Sequence, residues 1–187
     1  MISKAYNLLV NPKRLSRLSH HFHTTYVPAY PASAAIEITN ICNLKCHVCD
    51  QRQISERPYG SMTIDQYKPI LDEIGPHLDE LWLSSTGETF INEDVYQMFA
   101  HTRTSAPRAY IRLDTNGHFI DAERLVESPP HEIAFSVDGL EQDTYEIYRV
   151  QGKLDKVLEN IRSLVKARDK LKSKLPKIVF KFVVMKH

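Results

Sequence analysis

The three cysteines of this chain all lie in one segment of eight residues. Cys42, Cys46 and Cys49 have the spacing C-x3-C-x2-C, and they follow the apolar run 34–38, which is typical of a buried strand. A loop that leaves the end of a strand can direct three thiolates toward one point. Three converging thiolates form a metal site that lacks one ligand, and the open coordination position is where chemistry can take place.

Two kinds of metal site are compatible with this triplet. Structural zinc takes four ligands, often as two distant C-x2-C pairs, and here His47 would have to supply the fourth ligand from a position directly beside Cys46. Iron in clusters prefers thiolate, and a cluster of four irons held by three cysteines leaves one iron free for a small chelating ligand. The compact triplet without a second cysteine pair favours the iron–sulfur cluster. The other histidines that could complete a zinc site are His77, His101, His118 and His131.

Composition excludes several other classes of function. The 187 residues suit one domain, and a formal net charge of +1 gives no overall field for nucleic acid or a membrane surface. Three cysteines cannot all pair in disulfides, so they indicate a reducing, cytoplasmic location. No stretch approaches the roughly 20 apolar residues that a membrane span needs. Residues 1–36 carry no acidic side chain, so a transit peptide or membrane-surface helix is an alternative there to a plain amphipathic helix.

The chain alternates between strand and helix patterns, which predicts an α/β fold with a parallel sheet covered by helices. Residues 1–33 are predicted to form an N-terminal helix, at 3–20, and a proline-containing linker, and residues 34–187 to form the core domain. Because the chain stops directly after its fifth strand, which would leave a free sheet edge, we expect a fragment of a longer chain. The predicted strands are 34–40, 80–84, 109–113, 132–137 and 177–185, and the predicted helices are 63–74, 92–104, 121–126, 141–148 and 154–171.

Each of the first four predicted strands is followed at once by a short polar segment. The cysteine loop follows the first strand, and the segments 84–89, 114–117 and 136–139 follow the next three. The carboxyl ends of parallel strands meet on one face of a sheet or barrel, where ligand sites are built. A single such segment is ordinary turn composition, whereas four at the same ends of consecutive strands predict one shared site.

Together these segments resemble the radical S-adenosylmethionine (SAM) superfamily over residues 34–187. The cysteine loop has the family's C-x3-C-x-Φ-C signature. Thr-Gly-Glu at 86–88 is similar to the family's Gly-Gly-Glu motif after the second strand, and Asp-Thr-Asn-Gly at 114–117 is similar to a segment common after the third.

Two further segments resemble one branch of this superfamily. Ser-Val-Asp-Gly at 136–139, and then Tyr145 with Arg149, are similar to motifs of the members that carry cysteine-rich, SPASM-type C-terminal extensions. The chain also departs from the family pattern. Thr86 stands where the first glycine is usual, and Val48 stands where an aromatic residue is commoner.

The resemblance implies a fold and a reaction. The fold would be a partial (β/α)6, TIM-like barrel with about five parallel strands, preceded by the N-terminal helical extension. Cys42, Cys46 and Cys49 would hold a [4Fe–4S] cluster whose open iron binds the amino and carboxylate groups of SAM. An electron from a small donor protein, such as flavodoxin or ferredoxin, would cleave SAM to methionine and a 5′-deoxyadenosyl radical. The radical would abstract hydrogen from an unidentified substrate, a peptide or a small molecule.

The resemblance also implies a set of SAM contacts at the strand ends. Residues 86–88 would bind the amino group, mostly through the backbone, and Val48 would touch the adenine. Ser136 would bond the ribose or the carboxylate, and Arg149 could pair with the carboxylate. Each position also has a structural interpretation, such as a turn glycine, a capping serine or a solvated arginine at a helix end. The full set is Val48, Thr86, Gly87, Glu88, Asn116, Ser136, Asp138 and Arg149.

Two alternatives stand beside the enzyme. The first is a binding module that holds zinc with the three cysteines and one further ligand. The second is a non-catalytic fragment that keeps the fold and lacks the final strand. Iron and sulfide content after anaerobic reconstitution separates the enzyme from the zinc module, and release of 5′-deoxyadenosine separates it from an inactive fragment.

Overall fold

A sheet of five parallel strands forms the scaffold in the computed structural model, which describes residues 19–23, 25, 29–49 and 57–184. The strands are β1 (Ser33–Ala35), β2 (Glu80–Trp82), β3 (Tyr110–Thr115), β4 (Glu132–Ser136) and β5 (Lys177–Lys181). They are hydrogen-bonded in the order β1-β2-β3-β4-β5, and every pairing is parallel. The predicted α/β fold with about five parallel strands is therefore confirmed.

Helices connect consecutive strands, as parallel pairing requires. The helices are α1 (Ile64–Ile74), α2 (Val95–Ser105), α3 (Ala122–Glu127), α4 (Gln142–Tyr148) and α5 (Leu154–Lys170). A capping box starts α1, because Thr63 and Gln66 each accept the other's backbone N–H through a side-chain oxygen. The helix then continues through Pro69 without a break. Within the described ranges, none of the helices is long and apolar enough to cross a membrane.

Burial alternates along β2 and β3, which gives this part of the sheet a buried face and a partly exposed, polar face, whereas the middle of β4 is buried on both faces. In β3, Ile111 and Leu113 are buried, whereas Arg112 and Asp114 between and after them are partly exposed. The buried strand residues form one core cluster with inward residues of the helices, among them Val157 of α5. The opposite face of the sheet therefore carries polar side chains, such as Arg112 and Asp114.

The first strand is shorter than predicted. The predicted strand 34–40 leaves the sheet after Ala35, because the next residues take other partners. Thr39 forms an antiparallel bridge with Ser61, and Asn40 N–H donates to the Gly60 carbonyl oxygen at 3.2 Å. The segment that precedes the cysteine loop is thus held between β2 on one side and the loop around residue 60 on the other.

The last strand also ends earlier than predicted. The predicted strand 177–185 stops at Lys181, because β4 ends at Ser136 and no longer offers a ladder partner. Val183 N–H instead donates to the Asp138 carboxylate at 2.7 Å. Residue 185, the last residue of this predicted strand, lies outside the described residues, and so does nearly all of the predicted N-terminal helix at 3–20.

Replacing Tyr67 with phenylalanine is expected to lower the free energy of unfolding by about 1 kcal/mol. The Tyr67 hydroxyl lies 2.6 Å from Thr102 Oγ in the buried contact between α1 and α2. Because the aromatic ring is kept, only this hydrogen bond is lost. Urea unfolding monitored by circular dichroism measures the change. Tyr59→Phe on the exposed surface is the control, and an equal effect in both variants would contradict the prediction.

Candidate functional site

A cavity of about 190 Å³ lies where the carboxyl ends of β2, β3 and β4 meet the cysteine loop. Its lining comes from the cysteine loop, from residues 84–88 and 114–116, and from Ser136 and Arg149. These are segments that follow separate strands in the chain. Parallel pairing brings them to one edge of the sheet, as the spacing of the polar segments predicts.

The three cysteines are free thiols, and all of them line this cavity. Leu44 N–H donates to Cys42 Sγ at 3.5 Å, and Asn116 Nδ2 lies 3.8 Å from the same sulfur. Arg149 Nη1 lies 3.7 Å from Cys46 Sγ. Donors of this kind stabilise negative charge on sulfur and tune the potential of iron–sulfur clusters.

Burial makes Cys42 and Cys46 weaker acids than free thiols in the protein without a metal. It raises the pKa of Cys42 to about 11, although the Leu44 N–H acts in the opposite direction. Burial also raises the pKa of Cys46, against the lowering caused by Arg149. A thiol must lose its proton to bind metal, so the positive charge of the bound metal has to offset the cost of burying a thiolate. Three thiols in a common cavity, with N–H donors to the sulfurs of Cys42 and Cys46, are a donor set that fits an iron–sulfur cluster.

The surroundings of the triplet do not favour a zinc site completed by histidine. Among the residues that the structure describes, no histidine lines the cavity, and no three His, Cys, Asp or Glu side chains form a group that could hold a single metal ion. His47 is exposed, and His131 Nδ1 accepts the Ile111 N–H at 2.9 Å. In a cluster each thiolate binds a different iron, so the three sulfurs do not have to converge on a single metal ion.

Glu88 is a buried carboxylate that joins the loops after β2 and β3. It is 2% exposed and accepts hydrogen bonds from Thr115 Oγ at 2.6 Å and from the Asn116 N–H at 2.7 Å. Burial raises the pKa of Glu88, and the hydrogen bonds from Thr115, Asn116 and the Phe90 N–H oppose this rise. The Glu88 side chain is therefore engaged within the protein, which fits the prediction that residues 86–88 meet a ligand mostly through the backbone.

Close approach of two backbones explains the glycine in this segment. A Cβ on Gly87 would collide with the Thr39 carbonyl oxygen and would lie 2.9 Å from Asn40 Cα. The neighbouring Thr86 is held by Glu37, whose Oε1 accepts the Thr86 N–H at 3.1 Å and the Thr86 hydroxyl at 2.6 Å. Residue 87 thus has to be glycine for a packing reason, independent of any ligand.

Arg149 is paired inside the protein. Its Nε donates to the Asp138 carboxylate, and the two side chains are 15% and 0% exposed. Burial alone would lower the pKa of Arg149, but the interactions with Asp138 and Cys46 outweigh it and raise this pKa, so the guanidinium stays charged. The Arg149 side chain lines the cavity from a position fixed by this ion pair, and its pairing with a SAM carboxylate stays a prediction.

Most of the predicted SAM contacts share the cavity. Val48 does not line it and is 62% exposed, and Asp138 lies behind Arg149. The predicted contacts that line the cavity are Thr86, Gly87, Glu88, Asn116, Ser136 and Arg149.

The individual contacts predicted from the sequence did not include Glu37 or the lining residues Leu44, Ser84, Ser85, Asp114 and Thr115, although the last four lie in the predicted polar segments 84–89 and 114–117. Glu37 holds Thr86, and its signal was a single charge inside the apolar run 34–38. Ser84 and Asp114 line the cavity, and the Asp114 N–H donates to Ser84 Oγ at 3.1 Å. Both stand at the start of predicted polar segments, so their place at the strand ends was the available signal.

Lowering the pH is expected to destabilise the wild-type protein more than the Glu37→Gln variant. Partial burial raises the pKa of Glu37, but hydrogen bonds from Thr86 and the Arg57 charge outweigh it, so the pKa lies below the ordinary 4.5. A carboxylate with a lowered folded-state pKa stabilises fully above the unfolded-state value, and this contribution is lost as pH falls through the folded-state pKa. Thermal melting between about pH 6 and pH 3 measures it. Identical pH profiles for both proteins would contradict the expectation.

The parallel sheet and the thiol-lined cavity at its carboxyl edge define a barrel-type α/β domain with a site for a thiolate-bound cofactor. Residues 36–176 match the Radical SAM superfamily, and the chain belongs to this superfamily. Membership generally implies SAM and a [4Fe–4S] cluster as cofactors.

Curated relatives and solved structures agree with this assignment. The chain is 28% identical over 141 residues to an AdoMet-dependent heme synthase of Methanosarcina barkeri, which covers 73% of the chain and 40% of the relative. It is 27% identical over 158 residues to a pre-heme d1 synthase of Dinoroseobacter shibae, covering 79% of the chain and 39% of the relative. Native anSMEcpe with bound AdoMet has the same fold, with a TM-score of 0.59 and 22% identity over 81% of this chain and 43% of that one. The chain thus spans about 40% of the length of the curated relatives that it matches.

Proposed function

We propose that this chain carries the catalytic core of a radical SAM enzyme, which cleaves SAM reductively and generates a 5′-deoxyadenosyl radical for hydrogen abstraction. The observation that carries the proposal is the shared cavity: the three cysteines and the 86–88 segment line the same space. Family membership and the name of the AdoMet-dependent relative support it. The core domain comprises residues 34–187 in this proposal, and residues 1–33 form a separate N-terminal segment.

In this proposal Cys42, Cys46 and Cys49 hold a [4Fe–4S] cluster. Held by these three cysteines and reduced, such a cluster would supply the electron for the reductive cleavage of SAM. The protein's part is to shield the metal-bound thiolates from water and to donate hydrogen bonds to their sulfurs. Leu44 and Arg149 donate toward two of the sulfurs, which favours the thiolate form.

The protein also orients SAM. Two N–H groups of the 86–88 segment are already donated within the protein, from Thr86 to Glu37 and from Glu88 to the Ile41 carbonyl oxygen. The Glu88 carbonyl oxygen already accepts the Ile91 N–H at 3.0 Å, so we propose that the carbonyl oxygens of Thr86 and Gly87 bind the amino group of SAM. Ser136, Asn116 and Arg149 contribute further polar groups for the ribose and the carboxylate, and Val48 contacts the adenine from the rim.

The proposal includes partners. The cluster needs an external electron, which we assign to a small donor protein such as flavodoxin or ferredoxin. The substrate is a peptide or a small molecule that enters beside the cavity. Three free thiols at the site suit a reducing compartment, so we place the protein in the cytoplasm.

Anaerobic reconstitution tests this function. The chain is incubated with iron and sulfide, desalted, mixed with SAM and reduced with dithionite, and 5′-deoxyadenosine and methionine are quantified by chromatography. We expect a brown protein that releases both products, and a control without dithionite that releases neither. A colourless protein with bound zinc, or a brown protein that leaves SAM intact, would contradict the proposal.

A further inference from the structure

The segment that leaves β1 contacts the 86–88 segment in register. Alternate residues 37, 39 and 41 face the consecutive residues 86, 87 and 88. Glu37 Oε1 accepts from Thr86, the Thr39 carbonyl oxygen packs against Gly87, and the Ile41 carbonyl oxygen accepts the Glu88 N–H at 2.8 Å. Cys42 follows directly, so the cysteine loop and the 86–88 segment are fastened to each other through this short stretch.

Only one of these three contacts is made by a side chain. Glu37 Oε1 receives both donors of Thr86, at 3.1 and 2.6 Å, while Oε2 is paired with Arg57. The Glu37 side chain is 23% exposed, so it is partly shielded from water. The shorter bond comes from the threonine hydroxyl, and a glycine at position 86 could not make it. The carboxylate therefore fixes both the backbone and the side chain of Thr86.

We propose that Glu37 is the positioning residue of the SAM site, which holds Thr86 and thereby fixes the carbonyl groups of the 86–88 segment for the ligand ammonium group. This inference rests on the proposed function. Glu37 touches neither the cysteines nor, in this assignment, SAM itself. Its loss therefore affects SAM affinity and leaves the cluster in place. The hydrogen bonds between Glu37 and Thr86 thus hold the backbone of this segment in one conformation.

The negative charge of Glu37 adds a second effect. Its carboxylate contacts Thr86, whose carbonyl is among those assigned to the ammonium group, and its partner Arg57 is a half-exposed side chain. A cationic ligand group is favoured near a partly shielded carboxylate. Glu37→Gln removes this charge and leaves the shape of the side chain.

Three variants of the reconstituted protein test the inference. Glu37→Gln and Thr86→Val remove the charge and the hydroxyl, and Thr86→Ser keeps the hydroxyl. We expect the first two to weaken SAM binding by roughly ten- to a hundredfold, because one removes the charge and the other the hydroxyl of the charge-assisted bond between Glu37 and Thr86, whereas Thr86→Ser keeps both. Equilibrium dialysis measures SAM affinity, and iron content is measured on the same samples.

Glu73→Gln is the matched control, because it removes the same charge from an exposed position on α1. We expect unchanged iron content in every variant and unchanged SAM affinity in Glu73→Gln. The double variant Glu37→Gln/Thr86→Val should bind SAM no more weakly than the weaker single variant, because both remove one contact.

The outcomes separate the two proposals. Wild-type SAM affinity in Glu37→Gln, or a parallel loss of iron and SAM binding, overturns the positioning role alone. A reconstituted wild-type protein that binds no SAM overturns the proposed function and this inference with it. Hydrogen exchange of the cluster-free protein gives an independent reading, since the Thr86 amide should lose protection in Glu37→Gln and keep it in Glu73→Gln.

Discussion

Replacing any one of Cys42, Cys46 and Cys49 with alanine is expected to abolish cluster assembly and the release of 5′-deoxyadenosine. Each thiolate binds a different iron, so one missing thiolate leaves a second iron without a protein ligand. Loss of a supporting contact alone weakens metal sites by about 10- to 100-fold, and loss of a ligand should exceed that. Iron and sulfide content after reconstitution and desalting, with the visible absorbance, measures the effect.

The control for the cysteine variants is His47→Ala. His47 lies in the same loop and is exposed, so its loss should leave iron content and product release at the wild-type level. A zinc module that uses His47 as its fourth ligand makes the opposite prediction, namely that this variant loses its metal. Melting curves of the metal-free proteins show whether the alanine variants fold. A folded cysteine variant that keeps its cluster would contradict the assignment of the ligands.

The sequence could predict that the site residues lie close together, because parallel pairing places the carboxyl ends of all the strands at the same edge of the sheet. The cysteine loop, the 86–88 segment and Asn116 lie far apart in the chain, yet each directly follows a strand. Once the alternation of strands and helices is recognised, their convergence follows from topology alone. The structure confirms the parallel pairing on which this argument depends.

Contacts that depend on register could not be predicted in this way. Glu37 reaches Thr86 only because the chain leaves the sheet after Ala35 and runs between β2 and the loop around residue 60. Nothing in the local sequence pattern indicates at which residue the chain stops pairing with β2 and begins to pair with the loop around residue 60. Likewise, the direction of Val48 depends on the path of the cysteine loop, and the structure leaves this side chain 62% exposed.

Replacing Arg149 with methionine is expected to lower the free energy of unfolding by about 3–5 kcal/mol. The change leaves the Asp138 carboxylate, whose side chain is 0% exposed, without its opposite charge. Asp138 also accepts the Val183 N–H at 2.7 Å, so it joins the end of β4 to the chain that follows β5. Urea unfolding measures the stability. The double variant Asp138→Asn/Arg149→Met should cost less than the sum of the single variants, because neither partner then remains as an unpaired buried charge.

Lys156→Met is the control for the removal of a paired cation. Lys156 pairs with Glu159 at 3.1 Å on the exposed side of α5, and the loss of such a pair costs at most about 0.5 kcal/mol. An Arg149→Met variant as stable as Lys156→Met would contradict the structural role of the buried pair. Arg149→Lys separates charge from geometry, since it keeps the cation but not the guanidinium that reaches both Asp138 and Cys46. The Ser-Val-Asp-Gly segment and Arg149, which the sequence presents as two separate motifs, are thus one unit: the buried carboxylate holds the guanidinium that faces the cysteine loop.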